Sequence, residues 1–197
     1  MSKERKKDLD IALDIALIHY PVINKTGETI GSAVTNLDLH DIARAARTFG
    51  VDHYYIVTPY TDQHTLVQEI LDHWQTGYGA TYNPARKAAL DRVKITGSLA
   101  EVITLVTEQR GQRPLLLTTS ARAQENSISY RETRRRIATG EPILLLFGTA
   151  HGLAPELSET ADYTLPPIES TTGYNHLSVR SAVSIILDRL LGVHEGL

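Results

Sequence analysis

Six short apolar runs separated by helical patterns constrain this chain more than any other feature. They fall at 15–20, 53–58, 92–96, 115–119, 143–147 and 163–165. Each is apolar along its length instead of alternating. Strands covered on both faces read this way, and such strands belong to parallel sheets overlaid by helices. The stretches between them carry helix punctuation. Asn36 or Asp38 can cap a helix whose apolar face is Leu39, Ile42, Ala43, Ala46 and Phe49, with Gly50 at its stop. Asp62 precedes Leu66, Val67, Ile70, Leu71 and Trp74, and Gly77 follows. Ser98 and Glu101 have capping-box spacing ahead of Val102, Ile103 and Val106, and Ser129 and Glu132 repeat that spacing. A last helix runs over 177–191 and stops at Gly192. The order predicts one α/β domain over residues 1–197, a mostly parallel sheet with helices on both faces.

Composition narrows the function classes. With 42% hydrophobic and 22% charged residues among 197, the chain is globular and not disordered. A net charge of −3 argues against coating nucleic acid by bulk electrostatics, though a local basic patch remains open. There is no cysteine, which excludes disulfide scaffolds, thiolate metal sites and cysteine nucleophiles. No apolar run reaches the ~18 residues of a membrane span. Lys3, Arg5, Lys6 and Lys7 lead into a stretch cut by Asp8, Asp10 and Asp14, which is a poor signal peptide. Residues 1–8 read as a flexible basic tail, and the cytoplasm is the expected location.

Three segments fit no regular element: 20–35, 77–86 and 166–175. Long irregular loops in a compact domain tend to carry function. The familiar nucleotide, hydrolase and zinc motifs are absent, and no metal spacing joins His176 to a nearby ligand. Three features remain. The first is the strand-to-loop segment 144–153, where Phe147 runs into Gly148, Thr149, Ala150, His151, Gly152 and Leu153. Backbone at the carboxyl end of a parallel strand commonly cradles a ligand, and a plain tight turn is the alternative. The second is the polar run Asn175-His176-Leu177-Ser178 before a helix apolar nearly all round. Such a helix is covered by more than one surface, and a symmetric partner could supply one; a core helix capped by Asn175 is the plainer reading. The third is the outer face of the 36–49 helix, with His40, Arg44 and Arg47; Asp41 could pair with those arginines.

Together and in this order, these features resemble the SPOUT class of S-adenosylmethionine-dependent RNA methyltransferases. Asn36 with Ile42-Ala43-Arg44-Ala45-Ala46 and Phe49-Gly50-Val51 is similar to the class's first motif. The segment 144–153 is similar to the second, and Leu165-Pro166-Pro167-Ile168 with Asn175-His176-Leu177-Ser178-Val179 to the third. His19-Tyr20-Pro21 and Tyr82-Asn83-Pro84 are similar to a compact bacterial branch without an extra domain. The resemblance implies a deep C-terminal trefoil knot and a homodimer through the last helix. It also implies S-adenosyl-L-methionine held by the loops after Thr118, Phe147 and Leu165. Thr119, Ser120, Gly148, Thr149, Ala150, Gly152, Leu153, Pro167, Ile168, His176 and Leu177 complete that implied site. Gly148 is then the place where ligand meets backbone. Arg44, Asn36, Asn175 and Ser178 become orienting groups, with His176 or His19 as a proton carrier. Two departures stand out: residues 148–152 contain no Glu, and His-Leu-Ser replaces Asn-Val-Ser at 176–178.

The acceptor is expected to be structured RNA, tRNA or rRNA. Arg131, Arg134, Arg135 and Arg136 crowd one short helix, and Tyr78, Tyr82 and Arg86 place aromatic faces beside a cation. Rival readings are a non-catalytic RNA- or S-adenosylmethionine-binding module, favoured by the missing Glu, and a flavin- or nucleotide-binding protein, disfavoured by the absence of a phosphate loop.

Overall fold

The computed structural model describes residues 11–193; the basic segment 1–8 lies outside the described residues. The first half runs β1 (Leu13–Ile18), β2 (Val22–Ile23), β3 (Thr29–Ile30), α1 (Asn36–Phe49), β4 (Tyr54–Val57), α2 (Thr61–Gln75), α3 (Tyr78–Tyr82), α4 (Pro84–Leu90) and β5 (Val93–Thr96). Then come α5 (Leu99–Arg110), β6 (Leu115–Thr119), α6 (Tyr130–Ala138), β7 (Ile143–Gly148), α7 (Pro155–Glu159), β8 (Tyr163–Leu165) and α8 (Val179–Leu191). Six of the strands form one parallel sheet in the order β5-β4-β1-β7-β6-β8, and each matches one of the apolar runs.

The sheet is buried on both sides. Leu13, Ile15, Leu17, Leu145 and Phe147 face a core shared with α1, α2, α4, α6 and α8. Their neighbours Ala16, Ile18, Leu144 and Leu146 face a second core with α5 and α7. Because successive side chains point to opposite faces, a strand between two cores must be apolar throughout.

Helix ends follow the capping residues, with two corrections. Ser98 and Ser129 accept from the amides of Glu101 and Glu132, and Gly50 and Gly111 close α1 and α5 at φ +78° and +74°. The cap of α1 is Thr35, not Asn36 or Asp38: its hydroxyl accepts from the Asp38 amide and donates to the Asp38 carboxylate at 2.6 Å. The cap of α8 is Ser178, which accepts from the Ser181 amide at 3.2 Å, so Asn175 is not the capping residue. Two of the segments read as irregular hold short elements. Residues 20–35 contain the β2–β3 hairpin, and 77–86 contain α3 and the start of α4.

One strand has an unusual place. Leu117, Thr118 and Thr119 of β6 pair with Tyr163, Thr164 and Leu165 of β8 on one side. On the other side, the Ile128 amide donates to the Thr164 carbonyl at 3.0 Å, and the Thr164 amide donates to the Asn126 carbonyl at 3.1 Å. The strand thus lies between two stretches of a single earlier segment, 115–128.

Candidate functional site

Parallel strands β7, β6 and β8 are neighbours, so the loops after them open at the same edge of the sheet. This brings together Thr118–Ser120, residues 147–153 and residues 166–178, as the sequence predicts. The β7 loop turns on Ala150 at φ +51° and Gly152 at φ +117°, both in the left-handed region. A Cβ on Gly152 would meet nothing within 4 Å. Gly148 is different. A Cβ there would lie 2.6 Å from the Leu153 amide nitrogen, inside the loop's own backbone. Its glycine is thus demanded by the turn itself, whether or not a ligand also meets that Cα.

The β2–β3 hairpin holds this loop in place. His151 donates its amide to the Ile23 carbonyl, and the Ile23 amide donates to the Gly152 carbonyl, both at 3.0 Å. The Thr149 hydroxyl donates to the Ile18 carbonyl at 3.0 Å and lies 2.5 Å from the Ser32 hydroxyl. Ser32 in turn lies 3.0 Å from His19 Nδ1. His19 is fully buried, and burial pushes its pKa down to about 4. At neutral pH it is an uncharged strut between the hairpin and the β7 loop.

On the other loops, the Thr118 and Thr164 hydroxyls meet at 2.7 Å and the Thr119 hydroxyl donates to the Leu146 carbonyl at 3.1 Å. Ser120 accepts from the Arg122 amide at 3.0 Å. The Asn175 amide group donates to the Ala121 carbonyl at 2.9 Å, joining the first loop to the third. Tyr130 donates its hydroxyl to the Pro166 carbonyl, ahead of the half-buried Pro167 and Ile168. His176 and Leu177 are exposed. The donor set is backbone and hydroxyl, with the Ala150 amide free of backbone hydrogen bonds among the described residues. A small polar ligand suits such a set.

Beside these loops lies a groove of about 710 Å³ between α1 and α8, lined by Arg44, Thr48, Phe49, Ser178 and Ser181 among others. Arg44 is exposed, with only Asp41 near it at 4.0 Å. Asn36 is exposed, and with Thr35 doing the capping its side chain has no hydrogen bond among the described residues. Sequence reasoning missed Arg180. Its guanidinium reaches Asp38 at 3.2 Å and Asp41 at 3.1 Å, clamping the start of α8 to α1. The signal was an acidic pair three apart on the first turns of α1. Ser32 was missed as well, and no local pattern marks it.

The arginines of α6 are mostly spoken for. Arg135 forms two bonds to Glu132, holding that carboxyl down to about 2. Arg136 reaches Glu132 and Glu141, and Arg134 donates to the Arg189 carbonyl of α8. Arg131 is exposed. Around α3, Arg86 lies over the Trp74 ring at 4.7 Å, while Tyr78 and Tyr82 are outside. The apolar breadth of α8 is also largely used within the chain. Val183, Ile186, Leu187 and Leu190 are buried on the main core, which leaves Ile185 half-buried on the groove. That breadth therefore does not by itself require a second subunit.

Among the described residues, one group could in principle hold a metal: Asp14, Asp52 and His53, at the opposite ends of the strands. The Arg110 guanidinium already sits 2.7 Å from Asp52 there. No helix among the described residues is long and apolar enough to cross a membrane.

The fold is shared with SpoU-type proteins of known structure. The structure superposes on the SpoU methyltransferase AviRb of Streptomyces viridochromogenes, solved with the cofactor AdoMet, with a TM-score of 0.57 at 16% identity. That match covers 93% of this chain and 58% of the other. It also superposes on a TrmH/SpoU tRNA modifying enzyme of A. aeolicus, TM-score 0.55 at 17% identity, covering 92% and 74%. A family model described as SAM-dependent RNA methyltransferase matches residues 12–192. The chain belongs to this family of S-adenosylmethionine-dependent RNA methyltransferases. It is 44% identical over 177 residues to an uncharacterized protein of Aquifex aeolicus, covering 89% of this chain and 86% of that one. It is 48% identical to a protein of Oleidesulfovibrio alaskensis named tRNA (guanine-N(1)-)-methyltransferase, covering 90% of this chain. The chain spans 41% of that relative's length.

Proposed function

We propose that this protein moves a methyl group from S-adenosylmethionine to a nucleotide of structured RNA, working as a homodimer in the cytoplasm. The observation that carries this reading is the junction of three strand-end loops with the Arg44 groove: Ser178, at the end of the third loop, lines the same groove as Arg44. The cofactor supplies an activated methyl group when bound. Residues 118–120, 147–153 and 166–177 hold it, chiefly through backbone donors and acceptors. Asn36, Asn175 and Ser178 position polar groups around the acceptor. The Arg44 guanidinium clamps a phosphate or carbonyl in two-toothed fashion through its planar fork of donors. Alignment of the acceptor supplies much of the rate in such a transfer. His176 is exposed beside Tyr174, their rings 6.4 Å apart, and is assigned as the proton carrier.

A C-terminal trefoil knot is part of the proposal. Its support is the placement of β8 between β6 and residues 126–128, with the return of the chain through α6 closing the loop around it. The dimer is proposed across the α1–α8 groove, where Phe49 and Ile185 give it an apolar rim. Transfer RNA is the first substrate to try, on the strength of the Oleidesulfovibrio relative's name. The deciding experiment incubates the protein with labelled S-adenosylmethionine and total RNA from a strain lacking its gene. Label in a small-RNA or ribosomal fraction is expected. Cofactor binding without transfer to any RNA would overturn the reading and leave the non-catalytic module. Sedimentation at micromolar concentration tests the dimer, with Ile185→Lys expected to yield monomers.

A further inference from the structure

Next to the Arg44 groove, on the other side of α1, the chain carries a surface that folding alone does not explain. Gly77 and Gly79 create it. A Cβ on Gly79 would lie 2.6 Å from the Trp74 ring, and one on Gly77 2.7 Å from the His73 carbonyl. Only glycine lets α3 lie this close against the end of α2. With the glycine side pressed inward, Tyr78 and Tyr82, four apart, come out together on the opposite side. They are 75% and 73% exposed, and their rings lie 6.0 Å apart, tilted by 23°. Neither hydroxyl has a partner among the described residues.

Asn83 joins these tyrosines directly to a groove of about 330 Å³ between α1 and α4. Arg44, Arg47 and Arg86 line that groove, and no carboxylate does. Three guanidiniums on one groove, with only Asp41 at 4.0 Å from Arg44 as an ion-pair partner among the described residues, are notable in a chain whose net charge is −3. Arg47 is exposed and forms no ion pair among the described residues. Arg86 is braced by the Trp74 ring, whose other contacts include His40 at 5.5 Å. The result is a cationic trough with two aromatic faces at its mouth.

We propose that α3 and the α1–α4 groove form a docking platform for an unpaired segment of the RNA substrate, with bases stacked on Tyr78 and Tyr82 and phosphates held by Arg47 and Arg44. This rests on the RNA-methyltransferase reading above. Charge complementarity selects a polyanion. The aromatic faces select single strands, because bases in a duplex are already stacked on one another. A duplex would engage the arginines and leave the tyrosines unused.

The test is fluorescence anisotropy with a labelled single-stranded oligoadenylate and a labelled RNA hairpin of equal length. The single strand is expected to bind more tightly. Tyr78→Ala/Tyr82→Ala should weaken it ~10-fold or more, from the loss of base stacking, and leave hairpin binding unchanged. Arg47→Ala should weaken both probes and lower the slope of log affinity against log salt by about one. Calorimetric affinity for S-adenosylmethionine should stay at the wild-type value in both variants, which also reports that they fold. Equal binding of both probes, or a double tyrosine variant with wild-type affinity for oligoadenylate, would overturn the platform. Methyl transfer to total RNA, measured in parallel on the unaltered protein, separates the two readings. Transfer with no effect of the tyrosines rejects the platform alone, whereas tyrosine-dependent binding without transfer rejects the enzyme reading alone.

Discussion

Helices α6 and α1 each carry a set of arginines, and the two sets differ in what already holds them. On α6, Glu132 and Glu141 take up Arg135 and Arg136, and a carbonyl of α8 takes Arg134. On α1, Arg44 has one acid at 4.0 Å and Arg47 has none among the described residues. The denser cluster is thus the less available one. A count of cations says little about an anion site; the partners left over decide it, because a paired guanidinium must first be released before it can bind anything else. The same contrast divides the neutral polar groups: His19, Ser32 and Thr149 are closed on one another, while Asn36 and the α3 tyrosines are open.

Four measurements can break or sharpen this contrast. Arg44→Ala is expected to lower single-turnover methyl transfer 10²–10³-fold, about 2.7–4 kcal/mol, with cofactor affinity unchanged. Arg135→Ala under the same assay should stay near wild type. Equal losses in both would erase the distinction. The next effect concerns the closed side. Burial lowers the pKa of His19 to about 4, so between that pH and its ordinary value the unfolded chain binds a proton that the folded one does not. Stability should therefore fall as the pH drops through that window, by about 2 kcal/mol between pH 7 and pH 5 from this group. Urea titrations of wild type and His19→Gln check it: the variant should lose that much less on acidification.

Smaller again is the contrast between two adjacent residues. Thr35→Ala removes the α1 cap and should cost ~1 kcal/mol in denaturant unfolding. Asn36→Ala should leave stability within ~0.5 kcal/mol and lower methyl transfer. The smallest effect is expected at Arg131 of α6, which is exposed. Arg131→Ala should shift stability by less than ~0.5 kcal/mol and weaken RNA binding only through one surface charge.

Much of the fold was legible in the sequence, since apolar runs and capping residues act locally. All six sheet strands and the α5 and α6 caps fall where the pattern places them. Elements at 22–30 were not readable, because strands of two residues have no period. Nor were α3 and α4, where Gly77, Gly79 and Pro84 read as breakers although Trp74 gives one of those glycines a packing partner. In the site, the three strand-end loops could be found from small residues after apolar runs. The roles of single residues could not. Gly148 is also required by its own loop, through Gly152 and Leu153 brought back by the turn, and burial lowers the pKa of His19 to about 4. Neither the returning turn nor the burial of His19 has a local pattern. The spacing of three and four from Glu132 to Arg135 and Arg136 carries their pairing, although the four arginines by themselves read as an RNA-facing cluster.

The position of β8 also bears on the order in which this molecule can be made. Its slot is bounded by β6 and residues 126–128, both synthesised earlier, and the third ligand-facing loop begins where it ends. Until the earlier segment has taken its shape, there is no gap for the strand to occupy. In the folded chain β8 fills that gap, and the third strand-end loop and α8 follow it. On the reading proposed above, a chain ending before β8 would carry both arginine helices and the tyrosine pair yet lack one of the three loops assigned to the methyl donor.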